Sequence, residues 1–115
     1  MANSLNANPM RIDTDITTWR GAAAISGAGY TTGIRVTKVV LQVGSGGPSS
    51  AGTVAVTKPA DSSTLYPTMP VAGATPANTI LVTEDVTSPA NLTWSDFAVT
   101  GATATGTVLY IWWRQ

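Results

Sequence analysis

The sequence predicts an all-β domain, an antiparallel β-sandwich of jelly-roll-like kind with about seven strands. Three observations lead there. No stretch keeps a 3.6-residue apolar period over three turns, so no amphipathic helix is available to form a layer. Short apolar segments recur instead, separated by turns of Gly, Pro, Ser and Thr, as in sandwiches. Closure as a double-sheet jelly roll is equally compatible with that spacing. Composition agrees: Thr (19), Ala (16) and Gly (11) dominate the 115 residues, a mixture suited to strands and turns. With 43% hydrophobic residues the chain has enough apolar material for one core and one domain.

Each element follows in order. Residues 1–10 are polar and Asn-rich and reach Asn8-Pro9, which predicts a flexible N-terminal arm ahead of a domain over 11–115. Residues 11–20 (RIDTDITTWR) alternate, with Ile12, Thr14, Ile16 and Thr18 on one side, and read as a half-buried strand. In residues 21–33 a short helix could begin on Ala22–Ala24, but Gly27 and Gly29 stop it, leaving a loop with a short strand. Ile34–Val43 (IRVTKVVLQV) is the clearest strand. Ile34 and Val36 share one phase and Val39, Leu41 and Val43 the other, so either both faces are covered or a bulge near Lys38–Val39 shifts the phase.

The run GSGGPSSAG then predicts a long mobile tip, with Thr53–Lys58 returning as the second arm of a hairpin. Four prolines (Pro59, Pro67, Pro70, Pro76) keep residues 59–78 out of any central strand, because proline lacks a ladder donor. An extended surface crossover is expected, pinned by Leu65, Tyr66 and Met69. Thr79–Thr83 is a strand, and Glu84–Asn91 a turn. Leu92–Thr100 alternates with Trp94 and Phe97 out of phase, which suggests a second bulge. Gly101–Gly106 is a small-residue turn, and Thr107–Arg114 (TVLYIWWR) is the last and most hydrophobic strand.

Charge and residue type exclude whole function classes. There is no Cys and no His, which removes thiol nucleophiles, disulfides, Ser–His–Asp triads and the familiar zinc sites. Only 10% of residues are charged, against a typical ~25%. Six bases balance six acids, so the basic excess expected of a nucleic-acid binder or of a polybasic membrane anchor is missing. Residues 1–58 carry five bases and two acids, and 59–115 one base and four acids. Head-to-tail attraction between copies would use that asymmetry, but a sandwich with interleaved halves would cancel it. The start MANSLNANPMRID has no basic n-region or apolar run, and the longest apolar run is Val108–Trp113. A soluble chain made in a cytosol is the expectation.

Candidate sites are few. Asp13-x-Asp15 opens like a calcium loop, but Thr18 and Ala24 stand where Gly and Glu are needed, so two carboxylates on one solvent face of a strand are expected. Glu84 and Asp85 are adjacent, hence on opposite faces of a strand, and cannot serve together as acid and nucleophile of a glycosidase. One of them could combine with Asp96, but nothing in the sequence places them together. Gly44-Ser45-Gly46-Gly47 follows a strand as phosphate loops do, yet no helix pattern or Lys-Ser/Thr follows. Asn91-Leu92-Thr93 is a formal glycosylation sequon that matters only in a secreted chain. No catalytic, cofactor-binding or metal-ligating residue is assigned, and no cofactor.

The aromatic residues remain. Trp112 and Trp113 are neighbours on a strand, so one faces the core and one outward. The outward ring is a sugar platform, an interface anchor, or part of a second covered face. Trp19, Tyr30, Tyr66 and Trp94 are further aromatic residues from which a sugar site would draw.

With its polar arm, its paired strands GIRVTKVVLQV and GTVAVTK, and its closing strand GTVLYIWWRQ, the chain resembles the small all-β virion proteins of tailed bacteriophages. Within that group it most resembles capsid decoration, or cement, proteins; tail and head-fibre proteins are close rivals. The likeness covers about residues 8–115 and rests on style of sequence, with no functional residue carried over. It implies a non-enzymatic virion component, assembled in the host cytoplasm. The implied form is a homo-oligomer, often a trimer, bound to the outer surface of the major capsid protein lattice. A carbohydrate-binding module is the alternative of another class.

Overall fold

The computed structural model describes residues 9–20, 34–58, 62–85, 93–94 and 96–114. Among them are nine strands: β1 (Met10–Ile12), β2 (Ile16–Arg20), β3 (Ile34–Val43), β4 (Gly52–Thr57), β5 (Thr64–Val71), β6 (Ile80–Asp85), β7 (Thr93–Trp94), β8 (Asp96–Thr100) and β9 (Thr107–Arg114). A single helical turn, α1 (Ala102–Thr105), links the last two. β1 and β7 are only three and two residues long, so seven strands carry the architecture, as the sequence suggests.

Two antiparallel sheets result. Sheet A runs β1-β9-β3-β6, with β7 continuing beside β3 past β6, and sheet B runs β2-β8-β4-β5. Within the described strands the chain changes sheet at six of its eight steps, which is how a jelly roll is wound. Each sheet draws strands from both halves of the sequence. The linear charge asymmetry is therefore interleaved in space.

The core lies between the sheets. Met10, Ile12, Val39, Leu41, Leu109 and Ile111 of sheet A meet Val54, Val56, Phe97 and Val99 of sheet B, all fully buried. Strand alternation selects them: on β9, Leu109, Ile111 and Trp113 point inward, while Tyr110 and Trp112 stay half-exposed. On β3 the phase change is a bulge. The ladder with β9 pairs Val36 with Trp113 and then Lys38 with Trp112, so the extra residue is Thr37, one place earlier than expected. The same twist of register lets both Val36 and Val39 reach the core.

Several expectations are corrected. Ile34–Val43 and Thr53–Lys58 do not form a hairpin: β3 belongs to sheet A and β4 to sheet B, and residues 44–51 cross between them. That crossing is not a mobile tip. Ser49 is buried, its hydroxyl donates to the Ala72 carbonyl at 2.6 Å, and its backbone N–H donates to the Thr75 carbonyl at 2.9 Å. The expected crossover at 59–78 contains a full strand, β5, paired to β4. Its Pro67 and Pro70 are exposed on the sheet's edge, the place where a missing donor is tolerated.

The phase break in 92–100 is a change of sheet rather than a bulge, since β7 pairs with β3 and β8 with β2 and β4. Gly101–Gly106 holds the turn α1 between two left-handed glycines, Gly101 (φ 92°) and Gly106 (φ 70°). Met10 does not belong to the arm expected over 1–10, because it is fully buried and paired with Ile111 in β1. Residues 1–8, the loop of 21–33 with Tyr30, and Asn91-Leu92 of the sequon lie outside the described residues.

Candidate functional site

Two surfaces stand out among the described residues. The first is one end of the sandwich. Four connections meet there: 13–15, 44–51, 72–79 and 101–106. Three of them, 44–51, 72–79 and 101–106, contain no charged residue at all.

Small residues let these loops approach closely, and backbone groups bond across them. The Gly44 N–H donates to the Gly106 carbonyl (2.9 Å), Ser50 to Thr105 (3.0 Å), Ala74 to Ser49 (2.8 Å) and Asn78 to Val43 (3.0 Å). Buried Thr105 donates its hydroxyl to the Gly101 carbonyl at 2.6 Å and lies 2.9 Å from the buried Thr107 hydroxyl. Buried polar groups are thus matched inside the loops, leaving Ser45, Gly46, Pro48, Thr103 and Ala104 to face outward.

The acidic pair of this end is consumed structurally. Asp13 and Asp15 lie in the connection between β1 and β2, not on one face of a strand as expected. Asp15 accepts the N–H groups of Thr103 (3.0 Å) and Gly101 (3.2 Å), and its own N–H donates to the Thr103 hydroxyl (2.9 Å). This is the reciprocal pattern of a capping box, supplied to α1 from the distant connection between β1 and β2. Asp13 accepts a 2.6 Å bond from Arg11. Burial pushes its carboxyl upward, but the hydrogen bond and charge of Arg11 outweigh this and hold it below the usual range. The same bond raises the Arg11 guanidinium. A cleft of about 530 Å³ lies between this neutralised pair and the 44–48 and 106–108 segments.

The second surface is the outward face of sheet A. Trp113 is the inward ring, and Trp112 the outward one. Trp112 stands beside Tyr110, two residues before it on the same face, with centroids 6.2 Å apart and planes tilted by 40°. The Lys38 ammonium, from the facing position of β3, sits 5.2 Å from the Trp112 ring centre. With Val40, Gln42, Thr83 and Ile80 these side chains line a groove of about 380 Å³. Ile80 is 58% exposed, an unusual cost for so large an aliphatic group. Gln42 is held in place because its amide donates to the Asn78 carbonyl at 3.1 Å.

The other candidates are dispersed. Glu84 and Asp85 sit on the edge strand β6, where Glu84 accepts the Tyr66 hydroxyl at 2.5 Å and Asp85 faces Lys38 in the register. Asp96 begins β8 in the opposite sheet, so it does not join them on one strand or one sheet. Burial first, and the Glu84 carboxylate second, raise the Tyr66 hydroxyl well above the ordinary tyrosine range. Tyr66 is therefore a buried strut between the edges of the two sheets, not a surface aromatic. Trp19 lies on β2 and Trp94 on β7. Gly44–Gly47 forms part of the first surface.

Tyr110, Gln42 and Ile80 were absent from the sequence candidates. A same-face rule would have found Tyr110, since strand side chains repeat every two residues. Gln42 and Ile80 come from different strands and needed the register. Among the described residues, no helix is long and apolar enough to cross a membrane. Comparison with protein-family models, curated proteins and solved structures found no match to this chain.

Proposed function

We propose that this chain is a non-enzymatic structural protein of a phage particle that binds the outer surface of the capsid lattice and stabilises it. The observation that carries the reading is the loop end of the sandwich, charge-free over 44–51, 72–79 and 101–106 and bonded across its own loops. A surface whose few charged groups, Arg11, Asp13 and Asp15, are already paired or hydrogen-bonded meets a protein partner with little desolvation cost, and a rigid one loses little entropy on docking. Small outward residues such as Ser45, Gly46 and Ala104 suit close backbone approach rather than deep side-chain insertion. Single contacts of this kind are weak. A homo-oligomer, a trimer for instance, that touches several capsid subunits at once gains effective concentration and stays bound.

The partners are thus the major capsid protein and further copies of the chain, with no nucleic acid, membrane or cofactor in the scheme. The test is a count. Particles of the parent phage are purified, and this chain is quantified against the major capsid protein. The reading expects a high, lattice-related copy number, and loss of particle heat resistance when mild denaturant releases the chain. A handful of copies per particle places it in a tail or head fibre instead, and absence from particles overturns the virion role. The groove on sheet A favours a second property, saccharide binding.

A further inference from the structure

We propose that the groove on the outward face of sheet A binds an acidic saccharide, a pyranose carrying a carboxylate. This goes beyond the lattice role and does not depend on it, because the groove and the loop end use different residues. Lys38 has no ion-pair partner among the described residues; Asp85 faces it in the β-register but forms no salt bridge with it. Its contact is the Trp112 ring, 5.2 Å away. The groove thus presents an ammonium held over an aromatic ring rather than in a salt bridge, in a chain of zero net charge. An anionic ligand answers that charge.

Shape and polarity then narrow the anion. A carboxylate bound at Lys38 lies next to the indole, so the body of its carrier is laid against Trp112 and Tyr110. Those rings, tilted by 40° to each other, form a shallow angled wall. Val40 and Ile80 supply aliphatic floor and rim. The C–H face of a pyranose fits such a surface, which offers area without demanding hydrogen bonds. Around the wall stand groups that do demand partners. The Gln42 amide is oriented by its bond to Asn78, leaving its carbonyl oxygen as an acceptor, and the Thr83 hydroxyl is exposed. Sugar hydroxyls satisfy both. An inorganic anion would leave the rings unused, and a purely apolar ligand would leave three polar groups unmatched.

The experiment uses the full-length chain and tetragalacturonate as probe, with maltotetraose as the neutral control and acetate as the plain carboxylate. Indole N–H resonances are followed by NMR, with Trp112 assigned by loss of its peak in Trp112→Phe. The proposal expects saturable movement of the Trp112 peak with tetragalacturonate while the peak of buried Trp113 stays still. Affinity should fall about tenfold or more in Lys38→Gln, the loss of one charge-assisted contact, and by a similar factor for maltotetraose. It should also weaken with added salt. Trp112→Ala and Gln42→Ala are read alongside, each checked by circular dichroism for an intact fold. No movement of the Trp112 peak overturns the site. Equal affinity for maltotetraose overturns the charge argument, and an equal response to acetate reduces the groove to a carboxylate contact and overturns the saccharide. None of these outcomes bears on the copy number in particles.

Discussion

At the scale of single residues, Gly101 is the least replaceable position described. Its φ of 92° is already unfavourable for any side chain, and a Cβ there would lie 2.0 Å from the Thr53 carbonyl oxygen. The neighbour is backbone of β4, which cannot swing aside. Gly101→Ala is expected to cost at least ~3 kcal/mol, enough to remove most of the cooperative transition in urea. Gly46 is the control, because a Cβ there meets nothing within 4 Å, and Gly46→Ala should change stability by less than ~1 kcal/mol.

Tyr66 makes a second residue-level prediction. Its hydroxyl is held protonated in the folded chain, above its ordinary pKa of about 10, by burial and by Glu84. The folded state therefore binds more protons than the unfolded state once the pH passes about 10, and stability must fall as the pH rises from there. Denaturation midpoints measured from pH 8 to 11 should show that decline in the wild type and a weaker one in Tyr66→Phe. At neutral pH the same substitution should cost about 0.5–1.5 kcal/mol, the worth of one hydrogen bond.

At the scale of elements, α1 is too short to persist alone, since nucleating one turn is unfavourable. Asp15 holds it from outside. Asp15→Ala removes both acceptors of the Gly101 and Thr103 N–H groups and should cost about 0.5–2 kcal/mol, with Asp15→Asn recovering part of the loss. Urea titration measures both. β9 sits at the other extreme. It pairs with β1 on one side and β3 on the other, and it buries Leu109, Ile111 and Trp113. Removing such side chains costs ~2–5 kcal/mol each, so the loss in a chain ending at Gly106 is comparable to the usual ~5–15 kcal/mol of total stability, and that chain should not fold. A soluble truncated chain with a cooperative melt would show β9 to be peripheral.

These elements also mark how far the sequence could be read. β3 and β9 were legible because their apolar density and β-branched residues leave one local solution, and the bulge in β3 announced itself as a change of phase. Partnership was not legible. β3 and β4 look like hairpin arms, since the Gly- and Ser-rich run between them suits a turn as well as a crossing between sheets. What decides is buried Ser49, whose partners lie more than twenty residues away at Ala72 and Thr75. The prolines of β5 correctly exclude a central strand, but they do not exclude an edge one. For the candidate surfaces, Trp112 was visible as one of two alternatives, whereas its groove depends on β3 and β6 arriving at a register set by tertiary packing. Of the charge-free loops, 44–51 and 101–106 were visible as turns, whereas 72–79 was hidden in the crossover expected over 59–78. That they meet at one end follows only from the winding of the chain.

At the scale of the whole molecule, the sandwich separates its two surfaces. The loop end collects small, mutually bonded residues that are uncharged over three of its four connections, and the outward face of sheet A carries Tyr110, Trp112 and Lys38. The central claim is that the loop end is the part that meets the particle. Because the chain has no cysteine, single cysteines placed by substitution can be labelled without interference. Ala104→Cys and Ser45→Cys report on the exposed loop end, and Thr68→Cys on the exposed edge strand β5. Each variant is rebound to particles stripped of the native chain, and maleimide labelling is compared free and bound. The account predicts that labelling at positions 104 and 45 falls sharply on the particle while position 68 is unchanged. Equal labelling at 104 and 45 in both states, protection of 68 in their place, or failure of all three variants to rebind would contradict it.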